Sequence, residues 1–562
     1  MNFLPKHREP AGSQTEAQAS SNDIGDKIKP ALAFIGAWLF LNILMNINYP
    51  APQEHLISLL TISPEILFLV GIIGAAIWLG MPYHWGIYLP LTILVIFFRL
   101  FRVADELVPM YFFRPFNLYI DSQFLPDLIH LLYHTLPLKT FITYSVLSLL
   151  LTVGIFLGIW LSFKTIHQYL AGLNKGGIIP GTAIVVLGLL LLFSGAEFKK
   201  LSPIFHKGFY HRIVEETDFI LHVQGFRTQN LQVIRQTARE LEQTPSSLDK
   251  LGGADVYLIF VESYGYTVFE DKRHFHLIKP FLQQYENDLS AQGFSVYSGF
   301  LKSPAFGGSS WLAHGTIASG VDLSNQLIYD LLVTSDASTI AHIFNRAGYR
   351  TVSVMPGTLW PWPEGKFFGY QKHYFARDFE YNGPQFGWSP MADQYVLQHI
   401  YRKEIKQRTQ PLFIEFVLIS SHAPFHRQPP YIKNWSQIGD GSIYNHVEMI
   451  TFPVVWPDLT NASEAYVTSI IYEIKILKNF IEQYIKDDTL IIILGDHQPN
   501  VQITGPDSTW SVPVHVISRN KQLLDSFVSK GYTPGLIPQQ PPPHPGMETF
   551  LFDFLKSFSV SD

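Results

Sequence analysis

Four short stretches of this chain carry hydroxyl, carboxylate and imidazole groups, three of them directly after apolar runs. "DVYLIFVES" ends on Glu262, "QPLFIEFVLISSHAPF" leads to Ser420, Ser421 and His422, and "TLIIILGDHQPN" ends on Asp496 and His497. The fourth, "SPAFGGSSWLAHGTIASG" at residues 303–320, sends two glycines and two serines straight into a helical pattern. Each has a plain structural use when taken singly. Glu262 can cap a helix, a serine can be an N-cap, and an Asp-His pair can close a turn. Together, two carboxylates, an imidazole and a hydroxyl at strand ends form a ligand set for a divalent metal. Open α/β sheets bind their ligands at that edge.

The elements that must position these groups are legible as patterns. "DVYLIFVES", "GYRTVSVM", "QPLFIEFVLISS" and "TLIIILGDH" are nearly continuous apolar runs, as parallel strands covered on both faces require. "IKPFLQQYENDLSAQGF", "STIAHIFNRAGY" and "AYVTSIIYEIKILKNFIEQYIK" carry a helical period. Residues 251–562 therefore read as an α/β domain with a mostly parallel central sheet. "PQQPPPHPG" reads as an extended linker before a short terminal helix.

The amino-terminal part differs in composition. The 562 residues are 47% hydrophobic and only 15% charged, and from Pro30 to Phe98 there is no Lys or Arg. Five apolar stretches, near 31–48, 63–82, 84–101, 141–163 and 177–195, approach the length of about 20 residues that crosses a bilayer. The spacing predicts a multi-span helical membrane domain of about five helices over 31–198, with residues 103–137 as an interfacial segment. A tail over 1–30 precedes it, and a polar helical connector over 199–250 follows. Lys6, Arg8, Lys27 and Lys29 favour a cytoplasmic tail. Five crossings then put residues 251–562 outside the inner (plasma) membrane. A net charge of -6 gives no reason to expect a nucleic-acid partner. The absence of cysteine excludes disulfides, thiol catalysis and Cys-ligated zinc.

The order of "FVESYG", "GGSSWLAHGTIASG", "SSHAPF" and "ILGDHQP" resembles the alkaline phosphatase/sulfatase superfamily. It is most similar to the membrane-anchored branch that contains lipoteichoic acid synthases and phosphoethanolamine transferases. The resemblance implies a sulfatase-like catalytic domain, with Glu262, Ser310, Asp496 and His497 holding one divalent metal. A mixed oxygen and nitrogen shell suits Mn²⁺ or Zn²⁺ better than Ca²⁺. It further implies Ser310 as nucleophile, activated by the metal, with Gly307 and Gly308 and the helix start turned toward an anionic ester. The Gly-x-Thr-Ser pattern of the synthases would favour Ser309 instead, and that alternative stays open. His422 would orient the phosphate or serve the leaving or accepting hydroxyl. Ser309, His314, Trp360 and Lys366 would contact substrate, His314 lying one helical turn from Ser310 on its face.

The chain departs from the family in two places. Ser310 is followed by Trp-Leu-Ala-His, without the Pro and Arg that formylglycine formation needs, so a sulfatase is disfavoured. The loop "GTLWPWPEGKFFGY" offers Lys366 where the synthases carry an Arg. No second cluster of Asp and His residues indicates a two-metal phosphatase. The expected activity moves a phosphoglycerol or phosphoethanolamine headgroup from a membrane phospholipid donor to a glycan or lipid acceptor through a covalent serine intermediate. A hydrolase of soluble phosphate or sulfate esters, and a catalytically silent envelope transport or scaffold protein, are the two other readings.

Overall fold

The computed structural model describes residues 13–47, 59–81, 85–126, 129, 133, 138–173, 210–360, 362–454, 458–485 and 488–560. The chain divides into two compact units. One comprises Met1–Leu107 with Phe116–Ile220, and the other comprises Val108–Pro115 with Leu221–Asp562.

The first unit is helical. Its long helices are α1 (Ser13–Asn46), α2 (Pro64–Trp78), most of α3 (Tyr88–Phe112) and α4 (Leu138–Ala171), and the unit boundary falls within α5 (Tyr210–Gln243). Polar groups fix the entry to α2. Asn42 accepts a hydrogen bond from the Ser63 backbone N–H at 2.8 Å, and Ser63 caps the first turn through Ile66 N. Much of α4 turns leucines to the outside, Leu149, Leu150 and Leu151 among them. A single soluble fold does not present such a surface to water.

Among the described residues two helical stretches are long and apolar enough to cross a membrane, Ile28–Asn46 and Leu138–Ala171. This corrects the expectation of about five in physical terms. α2 is apolar but only 15 residues long. α3 is 25 residues long but carries Arg99, Arg102, Asp105 and Glu106, which lower its mean hydropathy. The expected fifth span, 177–195, lies outside the described residues.

The second unit is built on an eight-stranded sheet. Its strands are β1 (Asp255–Val261), β2 (Ser295–Lys302), β3 (Arg350–Met355), β4 (Lys372–Phe375), β5 (Leu412–Leu418), β6 (Thr489–Gly495), β7 (Ser511–Ser518) and β8 (Thr533–Pro534). They lie in the order β8-β2-β7-β6-β1-β5-β3-β4. The β6-β1-β5-β3-β4 part is parallel, and β2 and β7 close it on one side with antiparallel pairings. Every residue of β1 is buried. Tyr257, Ile259 and Val261 join one core, and Val256, Leu258 and Phe260 join the other. This period of two, with both faces covered, explains why the strand reads as an unbroken apolar run.

Helices α6 (Lys272–Ala291) and α9 (Ser463–Tyr484) cover the first face through Ile278, Leu282, Ile470 and Leu477. Helix α7 (Ser310–Ser319) packs on the second through Leu312, Ala313 and Ile317. Helix α8 (Asp393–Ile400) leads toward β5. The parallel neighbours β1, β5 and β6 thus deliver the turns after Val261, Leu418 and Gly495 to one edge of the sheet.

Candidate metal and nucleophile site

The three turns converge on one group of side chains. One ligand atom each from Glu262, Asp496 and His497 lies within 4.8 Å of the others, and all three residues are buried. The backbone holds them in place. Asp496 Oδ1 accepts the N–H of Ser263 at 2.8 Å and of His497 at 2.7 Å. Glu262 Oε1 accepts the Ser263 hydroxyl at 2.8 Å. His497 Nδ1 lies 2.7 Å from the Gln498 carbonyl, which can only accept, so the proton sits on Nδ1 and the Nε2 lone pair faces the carboxylates. Nε2 is 3.4 Å from Glu262 Oε1 and 3.7 Å from Asp496 Oδ2.

Gly495 shows why the "ILGDH" turn begins on glycine. A Cβ there would stand 1.9 Å from the Tyr264 carbonyl oxygen, so the turns after β1 and β6 could not close together.

Ser310 is the first residue of α7, and its Oγ is 3.1 Å from Glu262 Oε2 and 3.2 Å from His497 Nε2. Ser309, its N-cap, has φ of +63° and makes no capping bond through its side chain. Ser263 and Phe425 are likewise in the left-handed region, each on one of the converging turns. Strain of this kind, about 1 kcal/mol or more per residue, persists where the surroundings over-determine the backbone. Here it directs the Ser310 hydroxyl, not that of Ser309, to the carboxylates.

The glycines before it serve a purpose the sequence did not show. At Gly307 (φ +70°) a Cβ would lie 1.8 Å from the Tyr111 carbonyl oxygen, and Phe113 packs on Phe306 at 4.9 Å. Room for a close approach is thus taken by Val108–Pro115 of the same unit.

The electrostatics match a cation site. Burial, then the charge of Glu262, pushes Asp496 up to about 6. Burial disfavours the charged form of Glu262 too, but His497 and His422 outweigh it and hold that carboxyl below its usual range. His497 loses by burial and gains more from Asp496 and Glu262, so its imidazole titrates higher than usual. Two carboxyls and an imidazole so placed crowd negative charge that a divalent cation would relieve, and the donor set fits such an ion.

His422 stands on the turn after β5. Its Nδ1 is 2.6 Å from the Ala423 carbonyl, which fixes the proton there and leaves Nε2 open. Its ring stacks on Trp388, centroids 5.6 Å apart and planes 10° from parallel. The other sequence candidates are placed differently. His314 is buried with its ring 4.3 Å from that of Phe260, and burial pushes its pKa down to about 4. Trp360 is exposed on the segment after β3, and Lys366 is exposed on the short helix Gly365–Phe368. No side-chain hydrogen bond or ion pair joins Lys366 to the cluster.

Trp388 and Asp393, which accepts the N–H groups of Ile419 and Ser420, were missed from sequence. Trp388 lies in an irregular segment with no periodicity to reveal it. Asp393 follows "SPMA" at a helix start, where an acid reads only as a favourable end charge.

A sulfatase family profile matches residues 296–523. Among solved structures, the chain is similar to the lipoteichoic acid synthase LtaP from Listeria monocytogenes (15% identity, TM-score 0.35, 55% of this chain and 75% of that one). It is also similar to the Streptococcus pyogenes phosphoglycerol transferase GacH in complex with sn-glycerol-1-phosphate (12%, TM-score 0.36, 59% and 92%). A third is the integral membrane lipooligosaccharide phosphoethanolamine transferase A from Neisseria meningitidis (11%, TM-score 0.44, 88% and 96%). These likenesses are low in both identity and TM-score. Comparison with curated proteins found no significant match. The family match thus lies wholly within the α/β unit, and what it shows is a sulfatase-like domain over residues 296–523.

Proposed function

We propose that this chain is a metal-dependent enzyme that takes a phosphoglycerol- or phosphoethanolamine-type headgroup from a membrane phospholipid. It passes the headgroup to an envelope glycan or lipid, or to water. The observation that carries the reading is the Ser310 hydroxyl, at a helix start and within 3.2 Å of both Glu262 and His497. When bound by Glu262, Ser310, Asp496 and His497, one Mn²⁺ or Zn²⁺ would lower the hydroxyl's pKa and offset phosphate charge.

The chain's own groups supply the rest. Ser310 Oγ gives its proton to solvent and forms a bond to phosphorus as the bond to the lipid oxygen breaks. His422, entering the step with a proton on Nε2 as well as Nδ1, gives the Nε2 proton to that oxygen and regains one from the acceptor hydroxyl. An acceptor hydroxyl or water then displaces Ser310 and restores it. The helix α7 N-terminus favours the anion throughout. Ser309, His314, Trp360 and Lys366 line or support the substrate path. Helical stretches within residues 31–198 would hold the chain in the inner membrane and keep residues 251–562 outside it beside the lipid, with residues 1–30 in the cytoplasm.

The test is a covalent adduct. After incubation with a labelled phospholipid, intact-mass analysis should show a phospho-headgroup on the wild type and on Ser309→Ala, mapping to the peptide that holds Trp311. Ser310→Ala should show none and lose activity by orders of magnitude. An adduct that survives in Ser310→Ala but not in Ser309→Ala would move the nucleophile. Activity with no adduct in any variant would mean direct attack by water.

A further inference from the structure

Behind the His422 turn lies a second pair of acids, remote in sequence and absent from the reaction above. Asp393, the first residue of α8, and Glu473, in the middle of α9, are both fully buried. Asp393 Oδ2 accepts the N–H groups of Ile419 at 2.6 Å and Ser420 at 2.5 Å, and its own N–H donates to Ser420 Oγ at 3.1 Å. The turn those bonds hold continues directly into the catalytic residue, His422 N–H donating to Ile419 O at 3.0 Å. On its far side Ser421 Oγ donates to the Glu262 carbonyl at 2.6 Å. Asp393 therefore fixes where the His422 turn stands against the Glu262 turn.

The remaining oxygens face one another. The side chains of Asp393 and Glu473 are within interaction reach, yet Asp393 Oδ1 and both Glu473 oxygens receive no hydrogen bond of normal geometry. Two buried carboxylates so placed would carry two unpaired charges in a low-dielectric interior, which costs several kcal/mol. One proton between them removes a charge and supplies the missing donor, as in other carboxyl pairs. The titratable groups that face the pair are Tyr444, from the turn at Ser442–Asn445, and Tyr472 on α9. Neither is a cation. Burial, with Asp393 beside it, holds the Glu473 carboxyl well above the usual carboxylate range.

We infer that Glu473 is kept as the neutral acid, donating its O–H to Asp393, and that this pair positions the turn that presents His422. Glu473 is a positioning residue, since it reaches the turn through Asp393 and Ser420 and does not touch the reacting atoms. Its functional consequence rests on the role given to His422 above, but the carboxyl pair and its hold on the turn do not. The glutamine variant separates the cases, because its amide N–H donates to Asp393 as the neutral acid does and cannot ionise.

The experiment uses the full chain in detergent and reads two things without substrate. The first is hydrogen exchange of the peptide spanning residues 412–425. Glu473→Ala should speed exchange at Ile419 and Ser420 by about tenfold or more, and Glu473→Gln should stay within about threefold of wild type. The second is melting temperature against pH. A group whose folded-state pKa is raised contributes stability that is full below the ordinary carboxylate range and is lost as pH rises toward the folded value. Wild type should therefore lose stability relative to Glu473→Gln as pH rises from about 5 to about 9, with a slope of one proton per chain.

A pH-independent difference between wild type and Glu473→Gln, or a glutamine variant whose turn exchanges as fast as that of Glu473→Ala, would overturn the inference. If both readouts hold while no phosphodiester is turned over by wild type, the functional reading fails and the pair stands.

Discussion

The α/β unit contains two buried pairs of acids, and they differ in what faces them. Glu262 and Asp496 sit at the open edge of the sheet, with the Nε2 of His497 turned into the gap and the Ser310 hydroxyl beside it. Asp393 and Glu473 sit behind the turn after β5, with tyrosines around them and, among the described residues, no imidazole interacting with either. The first pair has a neutral nitrogen donor and a hydroxyl, so it is suited to a cation that several ligands share. The second has its own two carboxyls, the neighbouring Ser420 and backbone N–H groups on one oxygen, so it is suited to a proton. The same two residue types thus suit a cation in one place and a proton in the other, according to the third group present.

The largest expected effect breaks the first pair. Asp496→Ala removes a ligand and the acceptor of two backbone N–H groups, and activity should fall by about a thousandfold or more. Steady-state kinetics with a soluble phosphodiester would show it, and a loss of tenfold or less would refute the role. A smaller effect separates chemistry from metal. His422→Ala should lower kcat by about a hundredfold while leaving metal binding intact, because it removes proton transfer alone. Loss of metal in that variant would make His422 a ligand.

The smallest effect tests burial with no partner acid. Glu415, in the middle of β5 opposite Leu258 and Ser353, is pushed up to about 7 by burial. Its stabilising contribution is complete below the ordinary carboxylate range and is lost as pH rises through about 7. The difference is about 3 kcal/mol. Urea titrations from pH 5 to 8 should show wild type weakening relative to Glu415→Gln, and parallel pH curves would contradict this.

Much of the α/β unit could be read before the structure because burial on both faces of a parallel sheet forces unbroken apolar runs. β1, β3, β5 and β6 were legible for that reason. Glu262, His422, Asp496 and His497 stood out because each ends or follows such a run, and Ser310 because two glycines lead it into a helical pattern. Trp388, Asp393 and Glu473 did not. Their roles depend on contacts between segments tens of residues apart, 80 residues in the case of the two acids, and no local period records such contacts. Gly307 has a further reason to be glycine that no local pattern records, since a Cβ there would stand 1.8 Å from the Tyr111 carbonyl oxygen. In the membrane part, the span expected at 84–101 stopped short of Arg102, Asp105 and Glu106, which α3 includes together with Arg99.

Metal stoichiometry tests the comparison at its centre. Equilibrium dialysis of the full chain against Mn²⁺ and Zn²⁺ should find about one tightly bound ion per chain in wild type. Glu262→Ala and Asp496→Ala should bind none at that site, and Glu473→Gln should bind as wild type does. A wild type that binds neither ion, or a Glu473→Gln variant that loses it while Glu262→Ala keeps it, would contradict the account.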